Sequence, residues 1–182
     1  MTKRDPIVFQ RRIVLVSCGE AKAPDEQPAR SLYVGNLFRA SLAYAESLGA
    51  DDVFVVSARY YLVALDRVLP PYDESLAGRP IWEVLAWGEY VAKQIENHCD
   101  PQRYRSPWAH GKPNPRVHAR IVLLAGERYA TPLRVAVARR PSWALDEPLF
   151  GLRLGERLQR LAEPAALRVA GGDNDADAAA AA

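Results

Sequence analysis

Lys22, Arg59, Tyr72 and Asp73 are the residues of this chain whose types and settings best suit chemistry. Lys22 lies just past Cys18, in a stretch leaving an aliphatic run. It could anchor a phosphate or carboxylate, or act as a nucleophile if desolvation favours its neutral form. A solvated lysine paired with Glu20 or Asp25 is the plainer alternative. Asp73 follows Pro70-Pro71-Tyr72, and prolines leave its loop little freedom. Its carboxylate suits a general base, or a group that stabilises positive charge developing on a sugar ring. It could equally cap the segment Glu74-Ser75-Leu76 by accepting a backbone N–H. Tyr72 could stack on a base or pack against the sheet edge. Arg59, always charged, could fork onto phosphate or pair with Asp73.

Lys22 and Arg59 sit just after two of three short apolar runs, Ile13 to Cys18, Val53 to Ala58 and Arg120 to Gly126, while Tyr72 and Asp73 lie in the loop that the two prolines fix. Continuous aliphatics mark strands buried on both faces, and in an open parallel sheet ligands bind beyond the strand carboxyl ends. Ser17, Cys18, Ser57, Gly126 and Tyr129 therefore join the candidate binding residues. Cys18 is better suited to packing than to nucleophilic attack, since no His lies near it in sequence to activate it. Gly126 leaves room for a ligand to approach the backbone, although a tight turn would need it too. Tyr33 and Phe38 read as core.

Between the runs, Leu37, Phe38, Leu42, Tyr44, Ala45 and Leu48 recur at near-helical spacing up to Gly49, and Trp82 to Ile95 predict a second helix over about 80–97. Leu133 to Ala138 reads as a fourth strand, and Gly151 to Leu161 as a short closing helix. Strand and helix alternate as in a parallel sheet with right-handed crossovers. The expected fold is an α/β three-layer sandwich whose mostly parallel central sheet has about four strands. Its parts are a lead-in at 1–12, a single domain at 13–165 and a disordered tail at 166–182, where Gly, Asp and Ala dominate.

With 182 residues, 49% hydrophobic and 25% charged, the composition is that of one globular domain. No apolar run approaches the roughly 18 residues of a membrane span, and Gln10-Arg11-Arg12 interrupts anything like a signal peptide. A cytoplasmic protein without membrane contact is expected. Two cysteines and three histidines leave little material for a metal site or a Ser-His-Asp triad, and none is expected. Nor does a Walker motif or a dinucleotide fingerprint occur, and no cofactor is expected. The Pro-rich insertion at 101–118 carries Arg103, Arg105, Lys112 and Arg116 with Tyr104 and Trp108 and no acidic residue between Pro101 and Arg120. That is the composition of a surface that tracks nucleic acid, or of a solvated loop.

In order along residues 13 to 161, the chain carries Ser17-Cys18 with Lys22, Ala29-Arg30 with Leu32-Tyr33 and Leu37-Phe38, Ser57-Ala58-Arg59 with Leu62-Val63, and Pro71-Tyr72-Asp73. Ala125-Gly126 with Tyr129, then Pro148-Leu149, Gly151-Leu152, Gly155 and Leu158, complete the set. This series resembles an uncharacterised bacterial and phage domain family. That family is similar to the lysine-transferring domain of archaeosine synthase, which has a Cys-x-x-x-Lys signature, and more distantly to the peroxide-stress protein group and the uracil-DNA glycosylase fold. Here Ala23-Pro24 replaces the Pro-Tyr that follows the archaeosine synthase lysine, and Tyr60-Tyr61 replaces the family's usual aromatic-glycine pair. The resemblance implies a glycosylase-like or base-modifying enzyme acting on a nucleobase, nucleotide or nucleic acid, with Asp73 and Lys22 as catalytic groups. The alternative is a non-catalytic nucleotide or nucleic-acid binding protein of stress response or phage defence.

Overall fold

The computed structural model describes residues 11–100 and 117–163. The aliphatic run at the start is β1 (Arg11–Ser17), followed by a two-residue strand β2 (Gln27–Pro28) and a short helix α1 (Ala29–Leu32). Helix α2 (Asn36–Ser47) buries Phe38, Ser41, Tyr44 and Ala45 on one face and stops where Gly49 takes a left-handed backbone at φ 59°. Strand β3 (Asp52–Ser57) turns directly into β4 (Tyr61–Ala64), and β5 (Val68–Leu69) pairs antiparallel with β2. Helix α3 (Ile81–Cys99) begins after Pro80 and leads towards β6 (Ala119–Leu124). The chain closes with α4 (Glu127–Ala138), β7 (Trp143–Asp146) and α5 (Leu154–Ala162).

The main sheet runs β4-β3-β1-β6-β7, parallel throughout except for the antiparallel β4. It has five strands where about four were expected. Alternate residues of β1 and β6 feed two separate cores. Ile13, Leu15, Ile121 and Leu123 pack against Trp87, Val91 and Ile95 of α3 and Leu133 and Ala136 of α4. Val14, Val16, Val122 and Leu124 pack against Phe38, Tyr44 and Ala45 of α2 and Leu161 of α5. Each fully buried aliphatic contributes about 2 kcal/mol, which gives three layers with the sheet in the middle.

Leu133 to Ala138 is not a strand but the second half of α4. Thr131-Pro132 looks like a break, and Val135 and Val137 look like strand residues. Tertiary packing overrides both, because Pro132 lies in α4 where α3 presents Gly88. A Cβ on Gly88 would sit 2.5 Å from the Pro132 carbonyl oxygen, so glycine alone permits this approach. Strand β1 starts at Arg11, inside the expected lead-in. Val117, at the end of the expected insertion, is 4% exposed and accepts the indole N–H of Trp143 at 3.0 Å.

Both sheet edges are four-residue strands. On β4 the Leu62 N–H is taken by the Gln94 side-chain oxygen of α3 at 2.9 Å. Among the described residues no helix is long and apolar enough to cross a membrane.

Candidate functional site

β1 and β6 are neighbours, yet β1 runs into α2 on one face of the sheet and β6 into α4 on the other. Diverging connections of this kind open a crevice at the strand carboxyl ends. Cys18 and Tyr129 stand on its two sides, with sulfur and phenol oxygen 3.2 Å apart. Trp87 of α3 meets the Tyr129 ring edge on at 5.5 Å and donates its indole N–H to the Ser57 carbonyl at 2.9 Å, which fixes the end of β3.

Ser57 anchors a chain of hydroxyls. Its Oγ accepts backbone N–H bonds from Arg59 at 3.2 Å and Tyr60 at 3.0 Å. Both lone pairs are then occupied, so its own proton is donated to the Tyr72 oxygen 2.7 Å away. Tyr72 and Tyr33 share a further bond of 2.7 Å. Three hydroxyl protons serve two bonds between hydroxyls, so one phenolic O–H is left to donate elsewhere. Burial holds all the phenols of the crevice neutral: Tyr33 is pushed up to about 12, and Tyr72 and Tyr129 lie further above the ordinary phenol range.

Lys22 reaches this chain because residues 21–34 fold back on themselves. Ala23 donates to the Leu32 carbonyl at 2.8 Å and Val34 to that of Ala21 at 3.0 Å, so Lys22 lies across from Tyr33. Its Nζ stands 4.4 Å from the centre of the Tyr72 ring and 5.9 Å from that of Tyr33. Its hydrogen-bond acceptor is the backbone oxygen of Glu20 at 3.1 Å, not the carboxylate of Glu20 or Asp25.

The structure thus brings Cys18, Lys22, Ser57, Tyr72 and Tyr129 together. Arg59 pairs with Glu74 at 2.8 Å rather than with Asp73, and Glu74 also holds Arg79 at 3.3 Å. Asp73 is exposed, caps no backbone N–H and has no ion-pair partner among the described residues. Beside Gly126 the space is occupied: a Cβ there would meet the Arg157 guanidinium at 3.2 Å. Ser17, half-buried at the end of β1, has no side-chain hydrogen bond among the described residues. Arg103, Arg105, Trp108, Lys112 and Arg116 lie outside the described residues. Reading Tyr33 as core was right for its ring, which is 1% exposed, but missed its hydroxyl. Only the pairing of Ala29-Arg30 with Leu32-Tyr33 in the family series hinted at more. Among the described residues no group of three His, Cys, Asp or Glu side chains could hold a metal ion.

A family of unknown function, DUF6884, matches residues 13–163. The chain belongs to DUF6884. The match to DUF6884 spans the described elements from β1 to α5, so the crevice is built wholly from the shared domain. Comparison with curated proteins gives no match, and comparison with solved structures gives none.

Proposed function

We propose that the crevice binds a nucleobase with its sugar and phosphate, and that the protein cleaves the N-glycosidic bond of that ligand. The observation that carries this reading is the Ser57–Tyr72–Tyr33 hydroxyl chain beneath Lys22. One phenolic O–H is in surplus, and Lys22 has ammonium protons beyond the one given to Glu20. A pocket with spare donors fits an acceptor-rich ligand, such as a base carbonyl beside a phosphate. In hydrolysis, water oxygen bonds to the anomeric carbon as the carbon–nitrogen bond breaks, and its electron pair leaves with the base. A phenol that stays protonated stabilises that charge by hydrogen bonding. Asp73, exposed and next to Tyr72, would take the proton lost by water or stabilise positive charge on the sugar. The protein would work in the cytoplasm, and the finer likeness to the uracil-DNA glycosylase fold belongs to this reading.

Mass spectrometry of bases released from DNA and RNA carrying natural and modified bases tests it. A free base released by the wild type and lost with Asp73→Asn, while binding survives, supports cleavage; Lys22→Ala should weaken binding at least tenfold. A change in mass of the polymer without release would point to base modification, with Lys22 binding or attacking. No mass change on any substrate rejects catalysis. Retention of nucleic acid would then favour the binding-protein alternative, a reading in keeping with the hydroxyl chain's having no hydrogen-bonded carboxylate among the described residues.

A further inference from the structure

Lys22 on the Tyr72 ring is the inner end of a longer series. Tyr72 meets Tyr60 edge to face at 5.1 Å, and Tyr60 carries the guanidinium of Arg59 at 5.4 Å and that of Arg67 at 5.6 Å. One cation, two rings in contact and two further cations follow one another from the crevice, over the β3–β4 turn, to the turn before β5. A ring orders a cation without cancelling its charge, whereas a carboxylate does both. Neither Lys22 nor Arg67 has a carboxylate partner among the described residues, and Arg59 shares Glu74 with Arg79. Arg67 is exposed and Lys22 half-buried, so a ligand can reach both.

We propose that this ladder is a track for the phosphates of a single-stranded nucleic acid whose target base occupies the crevice. The proposal rests on the nucleobase reading above and adds the polymer to it. Cations spread over successive rings suit phosphates in series. A mononucleotide whose base fills the crevice needs only the inner end, and a nucleoside triphosphate holds its charge in one short stretch. A duplex would first have to release the target base from its stack, whereas a single strand offers it unpaired.

Fluorescence anisotropy of the full chain tests the track, using labelled single-stranded DNA of one, two, four and eight nucleotides at several salt concentrations. Affinity should climb up to about four nucleotides, the lower end of site sizes on strand-tracking surfaces. Arg67→Ala should weaken four-nucleotide binding about fivefold and lower the salt slope by about 0.7, one phosphate contact. It should leave one-nucleotide binding unchanged. Tyr60→Leu, which removes the ring that orders Arg59 and Arg67, should act in the same direction, and Arg139→Ala, on a cation of the opposite sheet end, should do nothing. Affinity independent of length, indifference to Arg67→Ala, or a nucleoside triphosphate that competes as well as the four-nucleotide strand would each overturn the track. If single nucleotides fail to bind and Lys22→Ala is silent, while strand affinity still depends on Arg67, the crevice reading falls and the track stands. Failure of every probe to bind rejects both.

Discussion

At the amino ends of the strands, Arg140 is 2% exposed and held between carboxylates, with Glu96 at 2.8 Å and Glu89 at 2.8 Å. It also donates to the Ala136 carbonyl at 2.6 Å and lies 5.2 Å from the centre of the Trp143 ring. At the carboxyl ends, Lys22 and Arg67 rest on tyrosine rings. The first arrangement neutralises its cation and uses it to bind α3, α4 and β7 together; the second orders its cations and leaves their charge available. Charge at one end of the sheet serves cohesion, and at the other it stays open for the recognition proposed above.

Removing Arg140 should have the largest effect. Arg140→Leu withdraws the guanidinium from Glu96, which is 1% exposed, and should cost about 4 kcal/mol. Thermal unfolding should move down by roughly 10 °C, while ligand affinity measured well below that transition stays as in the wild type. A fall in affinity at low temperature would break the division between the two ends.

Tyr72→Phe keeps the ring under Lys22 and deletes the hydroxyl between Ser57 and Tyr33. Ser57 is fully buried and loses its acceptor, so a loss of about 1.5 kcal/mol is expected from chemical denaturation. Here ligand binding should fall as well, because the hydroxyl chain that fixes where the surplus proton points is broken. An unchanged affinity would place the ligand elsewhere.

The smallest effect concerns acid. Burial alone would raise the Glu89 carboxyl, but Arg140 overrides it and holds the group below its ordinary 4.5. A lowered value in the folded state adds stability that is fully present above pH 4.5 and disappears as pH falls through the folded value. Unfolding curves of Glu89→Gln and wild type should therefore run parallel near pH 7 and converge below pH 4.5. Persistence of the gap in acid would remove the titrating pair from the cohesive end.

Much of this architecture was legible in the sequence, because β1, β3 and β6 are continuous aliphatic runs and α2 and α3 have clear helical spacing. Strands β4 and β7, with four residues each, are too short to give a pattern. The second half of α4 misled because what makes it a helix is Gly88, more than forty residues earlier in the chain. In the crevice, Lys22 was visible beside a strand end and Tyr72 as the residue that follows two prolines. The hydroxyl of Tyr33 was not, since an aromatic in a buried run looks the same whether or not its oxygen is used. Glu74 rather than Asp73 binds Arg59, a choice between neighbouring carboxylates that spacing alone does not reveal. The tyrosine pair at 60 and 61 departs from aromatic-glycine, and the structure gives that departure a location: Tyr61 takes a left-handed backbone at φ 60°, with its ring 4.5 Å from that of Tyr90.

The side chain of Gln94 bears on how molecules of this protein behave beside one another. An edge strand with open N–H groups is a template for another chain, and crowded or partly unfolded molecules polymerise along such edges. On β4 the Leu62 N–H is already bonded by a side chain reaching over from α3. The strand that borders the ladder is thereby blunted against self-association at that position.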